Sequence, residues 1–457
     1  CSSDLQQAPQ SAISEEERQK IEAEKADKRK ARKNNGAKRD MHYEMEEEEH
    51  VVYPDDPDFD INKARLFTTV PRICVRYECV PMRFIKHVYR IHTYAQDGRL
   101  FEGKTPVSAF LNSSYDGSFI AGLMELRYIQ SLPVERIINY FESHGFTLKK
   151  PTAHKLMEKA SSLFENLYKC IRQTALSDPY KAADETYYKI LVPEKNSKGK
   201  GVRKGYLWVV VGINTRMIYL LYDDGSRSEK VILNELGGCK GIIQSDGYSP
   251  YRKLESDAYP HITRIPCLQH IKRKFIDCGE DDPDAKRIVE MINTLYQNEH
   301  KHKIGVDGWT VEQNLVHRKK YAPDILGEIK DVLDDIEERG DLLPKSELKE
   351  AITYLRNEWN AVVDIFNYGD TYLDNNMVER MNRYISLSRK NSLFFGSHKG
   401  AERGAILYTI ALTCRMNKVN LFEYLTDVIN RTAEWQPNTP LEKYRQLLPD
   451  RWEKAND

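Results

Sequence analysis

Three strand-like runs in close succession, Ala182 to Leu191, Gly205 to Asn214 and Met217 to Tyr222, constrain the fold of this chain more than any other feature. They are rich in β-branched and aromatic residues, and Gly-, Lys- or Asn-bearing turns separate them, as expected of neighbouring antiparallel strands. A short helical pattern at 228–236 follows, then a strand at Gly241 to Ser245, a short helical step, a strand at Thr263 to Pro266 and a helix from Leu268. Strands that alternate with helices are joined by crossovers and lie parallel. The order β-β-β-α-β-α-β-α therefore predicts an α/β fold in which antiparallel strands join a central parallel pair, the arrangement of a ribonuclease-H-like core.

The rest of the chain is arranged around that core. Between 281 and 366 the pattern is almost wholly helical, with a stripe of Ile325, Ile329, Val332, Leu333 and Ile336 that reads as a helical insertion in the domain. Helical periodicity resumes at Asn376, runs through Ala401 to Asn417, and gives way to a polar, Pro-bearing tail after Thr432. Upstream, Ser14 to Asp60 mixes Arg29-Lys30-Ala31-Arg32-Lys33 with Glu46-Glu47-Glu48-Glu49 and has almost no apolar period, as a disordered leader would. Val70 to Gly103 carries short alternating stretches such as Arg83-Phe84-Ile85-Lys86-His87-Val88-Tyr89, expected as two or three strands.

From Ser118 the period is helical. Ile120, Leu123, Met124 and Tyr128 form one stripe; Ser131 is placed to cap a second helix carrying Val134, Ile137, Ile138 and Phe141; Gly145 breaks it, and a third helix runs from Pro151 to near Ala175. Two short helices and a Gly-containing turn before a longer helix suit a helix-turn-helix, with Lys149, Lys150, Thr152 and Lys155 opening the recognition helix. A helical bundle with a solvated Lys cluster fits the same pattern. The expected organisation is a leader at 1–60, a small β-rich segment at 61–115, a helical DNA-binding region at 116–178, a catalytic domain at 179–430 with its insertion at 281–370, and a tail at 431–457.

Among the 457 residues, 69 Lys and Arg balance 69 Asp and Glu, so no global charge announces a nucleic-acid partner and any such role rests on local patches. No window approaches the roughly 18 apolar residues of a membrane helix, and a membrane-embedded protein is not expected. The eight cysteines, Cys1, Cys74, Cys79, Cys170, Cys239, Cys267, Cys278 and Cys414, are too sparse for a disulfide scaffold. They predict a reducing cytosol.

Three carboxylates carry the chemistry. Asp184 lies inside the extended run Ala182-Ala183-Asp184-Glu185-Thr186, where a buried carboxylate without a partner or metal is costly. Asp246 closes the apolar strand Gly241-Ile242-Ile243-Gln244-Ser245, and Gly247 suits a tight turn that leaves the carboxylate at the strand's end. If the two strands are neighbours, both carboxylates point into one crevice at the carboxyl edge of the sheet. Glu379 follows 133 residues after Asp246 in Asp374-Asn375-Asn376-Met377-Val378-Glu379-Arg380. Three carboxylates at an open edge can hold two hard divalent cations, which activate water or a DNA 3′-hydroxyl and stabilise the leaving oxygen of a phosphodiester. Asn376 and Glu379 also have the spacing of a capping box, so the residues alone leave both roles open for Glu379.

These stretches, with Gly205-Tyr206-Leu207-Trp208-Val209, Gln244-Ser245-Asp246-Gly247-Tyr248, Cys267-Leu268-Gln269-His270, Arg273-Lys274-Phe275 and the run Ser388 to Ser397 followed by Gly400-Ala401, resemble, in order, the motifs of the insertion sequence 66 transposase family. The resemblance spans Pro71 to Ile429. It implies a DDE transposase with a ribonuclease-H-like core, in which Asp184, Asp246 and Glu379 ligate two Mg²⁺ (or Mn²⁺) ions and a helical insertion separates the last two. Water would hydrolyse the element's end, and the freed 3′-hydroxyl would attack target DNA without a covalent protein intermediate. The implied partners are the terminal inverted repeats of the element, target DNA, a second copy of the chain to join two ends, and small accessory proteins of the same element. The implied place is the cytoplasm of a prokaryote, at the nucleoid.

Cys267 and His270, three apart at a helix start, share a face and could bind zinc, but two ligands do not make a site, so a packing or hydrogen-bonding role near the acidic centre is expected for them. Many relatives carry paired Cys-x-x-Cys knuckles near the N-terminus, whereas this chain has Cys74 and Cys79 five apart, with His87 and His92 beyond. Residues five apart on a strand face opposite sides, and zinc is not expected there. Basic clusters flank the acidic motifs: Lys198, Lys200, Arg203 and Lys204; Lys272, Arg273 and Lys274; Arg380, Arg383, Arg389 and Lys390. Such residues position a duplex through its phosphates. Two rival readings share this scaffold: a nuclease that hydrolyses DNA without joining strands, and a catalytically idle DNA-binding regulator.

Overall fold

The computed structural model describes residues 82–454 apart from 89–92, 97–98, 103–107, 111–112, 195–198, 200, 280, 303, 307, 341 and 437. All of them fall within the unit Pro81–Asp457. The expected leader, Cys74, Cys79, His92, Lys198 and Lys200 lie outside the described residues. A short antiparallel hairpin, β1 (Thr93–Gln96) and β2 (Arg99–Glu102), pairs Thr93 with Glu102. The stretch from Arg83 to Val88, expected as a strand, has no regular structure. Ile85 and Val88 stay exposed among the described residues, and Phe84 turns inward, its ring 4.9 Å from Phe141 and 4.7 Å from Phe146.

Helix α1 (Gly117–Met124) is capped by Asp116, whose carboxylate accepts the Phe119 N–H, and runs into a π-helical turn at Glu125–Ile129. Helices α2 (Val134–Ser143), α3 (Lys150–Leu163) and α4 (Glu165–Ser177) follow. Ser131 does not cap α2 as expected: it is buried in a left-handed turn at φ 58°, and Pro133, whose ring fixes φ, starts the helix instead. Gly145, at φ 81°, ends the α2 connection as its sequence position predicted. The expected third helix is divided at Phe164, a fully buried residue whose backbone leaves the helical range while its carbonyl still accepts the Tyr168 N–H.

The core is a five-stranded mixed sheet of β3 (Tyr180–Leu191), β4 (Val202–Gly212), β5 (Met217–Tyr222), β6 (Gly241–Ser245) and β7 (Ile262–Pro266), in the order β5-β4-β3-β6-β7. The first three strands pair antiparallel, whereas β3 with β6 and β6 with β7 pair parallel. Helices α5 (Glu229–Leu236), α6 (Ser249–Arg252) and α7 (Leu268–Ile276) make the connections and the exit.

The helical block is α8 (Pro283–Lys301), α9 (Val311–Glu338) and α10 (Glu347–Ile365). It is tied to the sheet by a fully buried ion pair between Arg264 of β7 and Glu358 of α10, with Glu255 also 2.9 Å from Arg264. Helices α11 (Asn376–Asn391) and α12 (His398–Met416) return to the sheet; α12 lies on β5, where Thr409 accepts the Leu220 N–H at 2.9 Å and Thr413 donates to the Ile218 carbonyl at 2.9 Å.

Beyond α13 (Leu421–Thr432) the chain is not a free polar tail. A short helix α14 (Leu441–Arg445) and the residues after it bury Tyr444, Leu447 and Leu448, and Trp452 donates to Asp427 at 2.6 Å. Their apolar spacing of three and four residues was diluted by the surrounding charge. Among the described residues, no helix is long and apolar enough to cross a membrane.

Candidate active site

The parallel pairing of β3 and β6 sets Tyr180 against Ile242, Lys181 against Ile243 and Ala182 against Gln244. Every pair differs by 62 in sequence number, and so do Asp184 and Asp246. Continuing the register two residues brings both carboxylates to the same level, Asp184 within β3 and Asp246 just past the end of β6, with side chains of even parity on one face. Gly247 is required by close approach. A Cβ there would lie 2.5 Å from the Tyr354 hydroxyl, which accepts the Gly247 N–H at 2.8 Å and so holds the turn after Asp246 from the helical insertion.

Where β6 stops pairing, α11 takes its place. Asn375 donates to the Ala183 carbonyl at 3.1 Å, and Asn382, two turns into the helix, donates to Asp184 Oδ2 at 2.6 Å. Arg389 completes the seam by donating to Thr186 Oγ1 and the Tyr187 carbonyl. Glu379 shares the inward face with Asn382, three residues on. It is no capping residue: the N-cap is Asn375, whose side chain makes no cap bond, Asn376 is the exposed first residue of the helix, and Glu379 Oε1 is buried without a hydrogen bond. Cys267, the residue before α7, and His270 in its first turn flank it. The Cys267 sulfur accepts the Asn375 N–H at 3.2 Å, and His270 Nε2 lies 3.7 Å from Glu379 Oε1.

Burial pushes the Asp184 carboxyl up to about 8, and the charges of Glu185 and Asp246 push the same way against the N–H of Glu185 and the amide of Asn382. Glu185 is also raised, first by burial, while Arg227 draws it back at 2.6 Å and Tyr251 donates to its other oxygen at 3.3 Å. Repelling, desolvated carboxylates are a donor set that fits hard divalent cations. The three named carboxylates do not close onto one point. Among the described residues, the group whose donor atoms all lie within 4.8 Å of one another is Cys267, His270 and Glu379.

The basic candidates lie on several elements. Lys149, Lys150 and Lys155 are exposed at the start of α3, Lys150 paired with Glu135 at 2.7 Å. Lys204 on β4 and Arg389 on α11 converge on Tyr187, their cations 4.8 and 4.2 Å from its ring centroid. Lys272 and Lys274 on α7 lie 6.0 Å from the rings of Tyr296 and Tyr354, and Arg203, Arg273, Arg380, Arg383 and Lys390 are exposed. Arg389 differs from the others, because its Nη1 donates to β3.

Residues 112–403 match the Transposase IS66 family. This chain belongs to that family. The match takes in α1 to α4, the whole sheet, the helical insertion and all three carboxylates. The chain is also similar to three uncharacterized proteins of Sinorhizobium fredii (strain NBRC 101917 / NGR234). It is 25% identical to y4jD over 346 residues, 73% of this chain and 65% of that protein. With y4hP the identity is 24% over 90% of this chain and 76% of that protein, and with y4qI 26% over 80% and 69%. The chain thus spans just under two thirds of y4jD.

Asn382, Glu185 and Arg227 are the site residues that motif reading passes over. Helical spacing from Glu379 points to Asn382, and adjacency to Asp184 points to Glu185. Arg227 has no local signal. Its place between the Tyr206 and Tyr248 rings, 5.2 and 4.1 Å from their centroids, arises only when the strands assemble.

Proposed function

We propose that this chain is a DDE transposase that cleaves the ends of its own element and joins the freed 3′-hydroxyl to target DNA. The observation that carries the reading is the common register of Asp184 and Asp246 on adjacent parallel strands, with Asn382 of α11 bonded to Asp184 and Glu379 one turn before it on the same helix. The strand order β5-β4-β3-β6-β7, with three antiparallel and two parallel members, supports a ribonuclease-H-like core interrupted by the helices of 283–365. Asp184, Asp246 and Glu379 would hold the divalent cations, Mg²⁺ or Mn²⁺, which lower the pKa of an attacking hydroxyl and neutralise charge on the phosphodiester. Asn382 and the Glu185 N–H orient the Asp184 carboxylate, and Tyr354 fixes the turn that carries Asp246. Lys204, Lys272, Lys274 and the exposed arginines would position DNA through its phosphates.

The decisive assay places the gene, with its flanking DNA, on a donor plasmid and counts insertions elsewhere for wild type and Glu379→Gln. The expected result is insertion by wild type and none by the variant. Cleaved ends that never insert would favour the nuclease, and binding by both proteins without any change in the DNA would favour the regulator. Salt dependence checks the DNA face separately. Arg273→Ala combined with Lys274→Ala is expected to flatten the slope of log K against log salt by about 0.9 for each phosphate that the variant no longer neutralises. An unchanged slope would remove α7 from the interface.

A further inference from the structure

The group formed by Cys267, His270 and Glu379 has a different chemistry from the acidic pair beside it. Cys267 is the residue before α7, His270 lies in that helix's first turn, and Glu379 lies in the first turn of α11; one donor atom from each lies within 4.8 Å of the others. Sulfur, imidazole nitrogen and a single carboxylate oxygen are the donors of zinc-class ions, whereas Mg²⁺ takes oxygen.

Two further observations point to a ligand. Glu379 Oε1 is buried without a hydrogen bond, a costly state for a polar atom that an ion would relieve. His270 Nε2 and Glu379 Oε1, at 3.7 Å, are too far apart to bond each other. Tetrahedral ligands about 2.1 Å from one ion stand roughly 3.4 Å apart, close to that separation.

We propose that Cys267, His270 and Glu379 hold one divalent transition-metal ion of the zinc class, beside the Asp184 and Asp246 carboxylates. Its role in the reaction rests on the proposed part of Glu379 in catalysis; the site itself rests on the three donors. Three protein ligands leave a coordination position for water or a phosphate oxygen, the pattern of catalytic rather than structural zinc.

The test uses the full chain, stripped with a chelator and titrated with Co²⁺ alone while the absorption spectrum is recorded. Wild type is expected to develop a thiolate-to-cobalt charge-transfer band in the near ultraviolet, abolished by added Zn²⁺. Cys267→Ser is expected to lose the band, and His270→Gln to bind Co²⁺ roughly 100-fold more weakly, each with the wild-type melting curve in chelator. A wild type without the band, or a band that persists in Cys267→Ser, overturns the site. Should Cys267→Ser fail to fold, unchanged affinity in His270→Gln overturns it instead. Asp184→Asn separates the two readings. A missing band in wild type, together with an inactive Asp184→Asn, removes the ion site and leaves the transposase. A band with an active Asp184→Asn keeps the ion site and removes the catalytic assignment.

Discussion

Asp184→Asn is expected to lower end cleavage and strand transfer on the order of 10³-fold while making the metal-free protein more stable. Both effects come from one carboxyl. With its pKa near 8, the metal-free wild type must bind a proton at neutral pH or keep a desolvated charge beside Glu185 and Asp246. That preference costs roughly 4 kcal/mol at pH 7 relative to an unfolded chain in which the carboxyl ionises freely. Asparagine removes the cost but has one acceptor oxygen, so it keeps only one of the two bonds now made by the Glu185 N–H and the Asn382 amide, a loss of about 1 kcal/mol. The net gain is about 2–3 kcal/mol.

The sign of the pH dependence follows. A carboxyl whose folded pKa is raised contributes stability that is full below its unfolded value, near 4, and is lost as pH rises through about 8. Chelator-treated wild type should therefore lose melting temperature between pH 5 and 8 relative to Asp184→Asn, and Mg²⁺ should restore stability to wild type more than to the variant. Identical pH profiles for the two proteins would show that Asp184 is not the strained group.

The five-stranded sheet was legible in the sequence because its signals are local. β-branched runs with short turns define β3 to β5, and the single residue that closes β6 places Asp246. The spacing of 62 residues between the two aspartates becomes meaningful only once the register of β3 and β6 is known, and no local pattern carries a register. Helix α11 shows the same limit. Its start at Asn376 was visible, but the choice between a capping Glu379 and a free one is made by Asn375, which spends its side chain on the Ala183 carbonyl of a strand nearly two hundred residues earlier. The pairing of Cys267 and His270 was visible as a spacing, and its third donor was not, because Glu379 comes to it only when the start of α11 is held at Cys267 through the Asn375 N–H. Ser131 and the segment after Thr432 misled for the opposite reason: a polar residue type was read as a cap, or a polar composition as a tail, where the backbone and a few buried side chains decide.

The second large effect is expected at Arg318, far from the carboxylates in sequence and buried in α9. Its guanidinium donates to both oxygens of Glu299 at 2.7 Å, to Thr371 Oγ1 at 2.7 Å and the Thr371 carbonyl at 2.6 Å, and to the carbonyls of Ile365 and Tyr368. Burial alone would raise the Glu299 carboxyl, and Arg318 more than offsets it, holding the group below its ordinary value. The loop so gathered runs directly into Asp374, Asn375 and the start of α11. Arg318→Met leaves the Glu299 carboxylate with only the Tyr321 hydroxyl, and the Tyr368 and Thr371 carbonyls without their guanidinium donor, so it should cost about 3–5 kcal/mol of stability. Adding Glu299→Leu removes the stranded charge but not the stranded carbonyls, so the double variant should recover only part of the loss. The pair formed by Arg264 and Glu358 makes the contrast. Its donors go chiefly to carboxylates, and replacing both partners by apolar residues should come closer to wild type. Urea melts of the four proteins give the comparison. If the Arg318 double variant returns fully to wild-type stability, the loop is held by something other than that guanidinium, and the helical insertion loses its proposed part in placing Glu379.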